Sequence, residues 1–156
     1  MYTRLFVCLI GCSVLVGCAT PPRQYPNKGP KNLTVNLRLE KDSGFLSATG
    51  GYVGIKTFKK DCSTDFKGWI DLSEQGNEIA IPLGQPTLVV TEIAHRSWTG
   101  IQGRMQRAVA LTPQAGVHYE IDLSYVDSMF DVHLYKITRS GKKMLKMVGA
   151  PPRCRG

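Results

Sequence analysis

Three histidines and twelve acidic side chains, with five cysteines, are the residues of this chain that could do chemistry. Chemistry needs them in sets. A hydrolase needs a nucleophile, a base and donors for an oxyanion. The chain has no Gly-x-Ser-x-Gly and no Ser or Cys with a local activating partner. Glycosidases need two carboxyls at a fixed separation, and nothing singles out one pair among the twelve acids. His118 shares the polar side of its segment with Glu120 and Asp122, and His133 shares a side with Tyr135. If those segments pair as a hairpin, both rings face one way and a metal could bridge them, but no third ligand follows from spacing. Gly50-Gly51-Tyr52-Val53-Gly54 leads into a strand pattern, without the helix N-terminus that phosphate binding uses, and is expected to be a turn or bulge. The residues therefore point away from an enzyme, with no metal and no cofactor.

The first eighteen residues read as an address. Arg4 supplies one positive charge, and Leu5 to Val16 is a run of twelve uncharged residues. As a helix this run rises roughly 18 Å, short of the ~30 Å hydrocarbon core, so it suits an export signal and not a permanent span. Leu15-Val16-Gly17-Cys18 closes the run and resembles the lipobox of bacterial lipoproteins. The resemblance implies cleavage after Gly17 and acylation of Cys18 on its sulfur and its new amino group. Cys8 and Cys12 lack the Leu-x-Gly context. Two or more acyl chains make anchoring stable where one is marginal. In that family an Asp after the cysteine retains the protein at the inner membrane. In a Gram-negative cell Ala19 thus implies the outer membrane; the domain is expected to face the periplasm.

Three regions follow: a signal peptide over 1–17, a lipidated cysteine and Pro-rich tether over 18–32, and a domain over 33–156. The tether holds four prolines and almost nothing to bury. At ~3.1 Å per residue it could hold a domain up to roughly 40 Å from the lipid.

From Leu33 the apolar period becomes two. Leu33, Val35, Leu37 and Leu39 alternate with polar neighbours, as do Val117, Tyr119, Ile121, Leu123 and Tyr125. Further strands are predicted over 52–58, 69–72, 78–83, 87–94, 107–111, 130–137 and 144–148. Turn chemistry separates them, as at Asp42-Ser43-Gly44 and Arg139-Ser140-Gly141. Many short strands without a helical period argue a single all-β domain, an antiparallel β-sandwich of immunoglobulin or transthyretin type. Ile81 to Val90 followed by Leu111 to Tyr119, with a Pro-x-x-Gly-x-x-Tyr strand start, is similar to small sandwich lipoproteins of bacterial envelopes. That resemblance brings no catalytic residues. The lipoprotein of type VI secretion resembles this chain in architecture alone.

Once the signal is removed, Cys62 and Cys154 are an even pair in an oxidising compartment and are expected to form a disulfide. Charge is the most uneven feature. From Lys136 to Gly156 there are seven basic residues and no acid, among them Lys142, Lys143 and Lys146. A second group, Arg96, Trp98, Arg104 and Arg107, falls in what reads as a glycine-containing loop over 95–107. Trp98 is either an anchor for a partner or a cover for an open sandwich edge. These residues are the candidate interaction surface. In the periplasm the partners would be an envelope protein, or an anionic glycan or lipid such as peptidoglycan or lipopolysaccharide. Nucleic acid is excluded by location. The expected role is interaction or assembly by a membrane-anchored, non-enzymatic module.

Overall fold

Alternation of apolar and polar residues carries directly into strands. In β1 (Leu33–Leu39) the side chains of Leu33, Val35 and Leu37 are buried while Asn36 and Arg38 are exposed. The computed structural model describes residues 23–39, 47–73, 76–97, 100–127 and 129–154. After β1 come β2 (Ser47–Phe58), β3 (Thr64–Asp71), β4 (Asn77–Ile79), β5 (Thr87–Ser97), β6 (Gly100–Leu111), β7 (His118–Val126), β8 (Met129–Thr138) and β9 (Gly141–Leu145).

The strands form two sheets, ordered β4-β1-β7-β8-β9 and β3-β2-β5-β6. Leu33, Val35, Ile121, Leu123, Val132 and Leu134 of the first face Val53, Ile55, Val89, Ile93 and Val109 of the second, in one apolar core. Burying a side chain of this size stabilises by about 1.5–3 kcal/mol, and this core holds the two sheets together. The all-β sandwich is as expected. One pairing inside it is parallel: β1 runs alongside β7, Leu33 opposite Tyr119 through Leu39 opposite Tyr125. Alternation decides which face a residue takes and leaves the neighbour's direction open.

Several expectations change at element ends. Over its described residues the 95–107 stretch is strand and no loop: β5 runs to Ser97 and β6 starts at Gly100, paired antiparallel with a register irregularity at His95/Arg96. Gly50–Gly54 lies within continuous β2 and is neither turn nor bulge. Trp69 explains it at Gly54, since a Cβ there would sit 2.7 Å from the indole ring that covers this position. The strand expected over 78–83 stops at Ile79 because Asn32 takes over as partner: its amide donates to the Ile81 carbonyl and accepts from the Ile81 N–H, both at 2.9 Å. The last strand ends at Leu145, and Val148 turns away to accept a hydrogen bond from the Ala110 N–H at 2.6 Å.

Candidate functional site

Registers place one set of connections together at one end of the sandwich. β1, β3, β5, β7 and β9 start there, and β2, β6 and β8 finish there. The hairpin between β2 and β3 shows how tightly that end is built. Cys62 N–H donates to the Lys59 carbonyl, and Lys59 N–H to the Ser63 carbonyl. The turn needs a left-handed residue, and Cys62 occupies it at φ 65°, a conformation that ordinarily selects Gly or Asn. Cys62 is joined to Cys154 across 92 positions, with 5.6 Å between Cα atoms. The bond follows a short 3-10 turn (Pro152–Cys154), and the Arg153 guanidinium donates to the Lys59 carbonyl at 3.3 Å. The expected disulfide is therefore the closure of the C-terminal tail onto this end.

The N-terminal segment closes on the same end. Residues expected to be an extended tether lie, from Arg23 onward, across the borders of both sheets. Trp69 N–H donates to the Arg23 carbonyl and Tyr25 N–H to the Trp69 carbonyl, each at 2.8 Å, so this strap runs parallel to β3. Asn27 then brackets β4, accepting from Ala80 N–H at 2.8 Å and donating to the Glu78 carbonyl at 3.0 Å. The Tyr25 hydroxyl donates to the Ala80 carbonyl, and burial pushes its pKa up. Prolines do not prevent this docking, because Asn27 and Tyr25 supply the polar contacts and both strands are sheet borders with open backbone groups. Gly68 makes it possible. It sits at φ +145°, and a Cβ there would come within 2.5 Å of the Tyr25 nitrogen.

Two clefts open beside these closures. One, of about 550 Å³, is lined by Tyr25, Lys28, Pro30, Lys31, Ile81, Pro82, Val117 and His118 among others. The second, of about 580 Å³, is lined by Lys59, Lys60, Lys67, Arg153 and Asp65 with the 83–86 turn. Leu83 borders both and is 55% exposed. Two acids belong to the second cleft's surroundings, and each is engaged. A hydrogen bond from the Lys67 ammonium holds Asp65 below the ordinary carboxyl pKa, and the Ser63 hydroxyl and amide do so for Asp61. Sequence reading missed this cluster: its cations come from segments far apart in the chain, and only topology brings them together.

The residues predicted as an interaction surface are scattered. Cys18 and Trp98, and the side chain of Arg96, lie outside the described residues. Arg104 stands 3.5 Å from Glu92, a carboxylate only 6% exposed that also accepts from Gln106. Arg107 is exposed, on the inward-facing row with Met105 and Val109. A charge in that row on a border strand deters pairing with another chain. Lys143 and Lys146 are exposed on β9 and the tail. Lys142 is engaged. Its ammonium donates to Glu120 at 2.7 Å and Asp122 at 3.1 Å, and lies 3.9 Å from the centre of the Tyr135 ring. The structure thus does not gather Arg104, Arg107, Lys142, Lys143 and Lys146 into one patch.

Lys142 belongs to an acid-containing network on the outer face of the first sheet. Asn36 donates to both Glu120 and Asp122 at 2.8 Å. The Glu120 hydrogen bond raises the pKa of Lys142, and Asp122 adds to it. Partial burial pushes Asp122 up, but hydrogen bonds from Asn36 and Lys142 outweigh it and hold the carboxyl below its ordinary value. The two histidines share this face, as the hairpin reading expected, yet they are not a metal pair. His118 is opposite Ile137 and His133 opposite Asp122, a separation of roughly 13 Å at strand rise. His118 bonds Thr34 at 2.7 Å and His133 bonds Asp131 at 2.9 Å. Among the described residues no group of three or more His, Cys, Asp or Glu could hold a metal.

Comparison with family models, curated proteins and solved structures returns no match. Function must therefore be argued from the site itself.

Proposed function

We propose that the chain is a non-enzymatic envelope lipoprotein. Acyl chains on Cys18 hold it at the outer membrane, and its β-sandwich faces the periplasm for interaction or assembly with another envelope protein. The disulfide carries this reading. A bond such as Cys62–Cys154 persists in oxidising compartments, and the export run ending at Leu15-Val16-Gly17-Cys18 supplies the route to one. The test has two arms. Labelled palmitate should enter the protein and be lost in Cys18→Ser. Mild crosslinking in cells should then recover a discrete envelope protein, and recovery of none across growth conditions would reject the interaction role.

The two clefts, with their lysines, favour a second reading, binding of an anionic glycan or lipid. Lys142 is matched by two carboxylates, so Lys142→Glu should act on folding. Lys28, Lys31, Lys59 and Lys60 line the open clefts. Replacing these by Glu should weaken binding to lipopolysaccharide or peptidoglycan, with a steep dependence on salt; unchanged binding would remove this reading.

A further inference from the structure

We propose that the basic end of the sandwich is a footing, pressed against the anionic headgroups of the membrane that carries the lipid anchor. The proposal rests on acylation of Cys18 and adds an orientation to it.

Chain length sets the first constraint. The strap joins the domain at Arg23, whose guanidinium donates to the Phe66 carbonyl near the start of β3, at the basic end. Cys18 is five residues earlier, and five residues span at most about 18 Å even fully extended. Met129, at the start of β8, lies at the opposite tip, roughly 30 Å away along that strand. An acyl group on Cys18 therefore keeps the end with Arg23 close to the lipid, while the chain places no such limit on the tip with Met129. A tether free along all of 18–32 would impose no such choice. The strap does.

Charge sets the second. Lys28 and Lys31 line one cleft and Lys59, Lys60, Lys67 and Arg153 the other. Asp65, the acid lining the second cleft, pairs with Lys67, so the positive excess of that cleft comes from Lys59, Lys60 and Arg153. Cations within a Debye length, about 8–10 Å, of an anionic bilayer are attracted to it. Leu83 protrudes between the two clefts, and an apolar side chain ringed by lysines suits the headgroup boundary. At the opposite tip Arg38, Asp127 and Asp131 are mixed in sign around Met129 and Phe130, with no comparable excess of cations among the described residues.

Amine footprinting tests this on the processed, acylated protein in vesicles. Phosphatidylcholine vesicles with and without phosphatidylglycerol are compared, and Met129→Lys supplies a reference amine at the far tip. In phosphatidylglycerol vesicles, acetylation at Lys28, Lys31, Lys59 and Lys60 should slow about fivefold or more, the factor that corresponds to one favourable charge contact. The reference amine should react at an unchanged rate, and high salt should erase the difference. Lys59→Glu with Lys60→Glu should restore the rates at Lys28 and Lys31. Equal rates in both lipids, on protein that still floats with vesicles in high salt, would overturn the footing and leave the anchor standing. Finding that the protein processed in cells carries no acyl chains and floats with neither lipid would overturn both. Slowing by soluble glycerol phosphate in phosphatidylcholine vesicles, to the same extent as by phosphatidylglycerol, would overturn the membrane source in favour of a small anion.

Discussion

The two ends of the sandwich are built on different principles. At the basic end, distant parts of the chain are locked to one another: the disulfide ties the tail to the β2–β3 hairpin, and the strap bridges β3 and β4. At the other end, β7 passes to β8 through a tight hairpin at Asp127, which adopts φ 52°. Met129 there is 68% exposed. The difference teaches that the cross-links between segments distant in sequence gather where the strap and the Cys154 turn meet the sheets. Substitutions at the two ends should therefore separate cleanly.

The largest effect is expected at the disulfide. Cys154→Ala opens a loop of 92 positions, for which chain entropy gives about 4 to 5 kcal/mol as a ceiling. Urea unfolding with and without reductant measures it, and a loss under about 1 kcal/mol would show that the tail is held by other contacts. Gly68→Ala comes next, at about 2–3 kcal/mol, because backbone strain and a clash with Tyr25 coincide. Hydrogen exchange should show the Tyr25 and Trp69 amides losing protection while the amides of β7 keep theirs. If all amides lose protection together, the strap and core form one cooperative unit.

Away from both ends, Arg104→Ala should cost about 1 kcal/mol by removing a charged partner of the buried Glu92, which keeps its hydrogen bond from Gln106. Arg107→Ala and Met129→Ser, at exposed positions, should each stay within about 0.5 kcal/mol. Parity between Arg104→Ala and Met129→Ser in thermal unfolding would remove the distinction drawn between them.

Acidity sharpens the same contrast. The folded pKa of Asp122 is lowered, so its contribution is complete above the unfolded value near about 3.9 and is lost as pH falls through the folded value. Lys142 is raised, so its contribution is complete below about 10.4 and is lost as pH climbs through the folded value. Unfolding midpoints should be flat in the neutral range and fall at both extremes. Asp122→Asn should lower the neutral plateau and shrink the acid decline, and an unchanged acid limb would show that other carboxyls dominate it.

How much of this was legible in the sequence depends on whether the signal was local. Leu33 to Leu39 and Val117 to Tyr125 carry their own alternation, so strand, face and sandwich could be read from them. The hairpin placing His118 and His133 on one face follows from the same pattern. Cys62 and Cys154 pair by elimination. The strap was not legible, since its docking depends on Gly68 and on two borders that exist only after the sheets assemble. Nor was the state of Lys142: seven bases without an acid along the tail look like a free patch, while Glu120 and Asp122 answer from β7, two strands away. The basic end is the extreme case, with charges from positions 28 to 153 meeting in space.

The parallel alignment of β1 with β7 also has a temporal meaning. Leu33 finds its partner Tyr119 only after most of the polypeptide has emerged, and such long-range pairing is slow to form. A chain threaded through a narrow pore from its amino end would thus stay pliable until the passage was nearly over. Its first strand would be among the last pieces to settle.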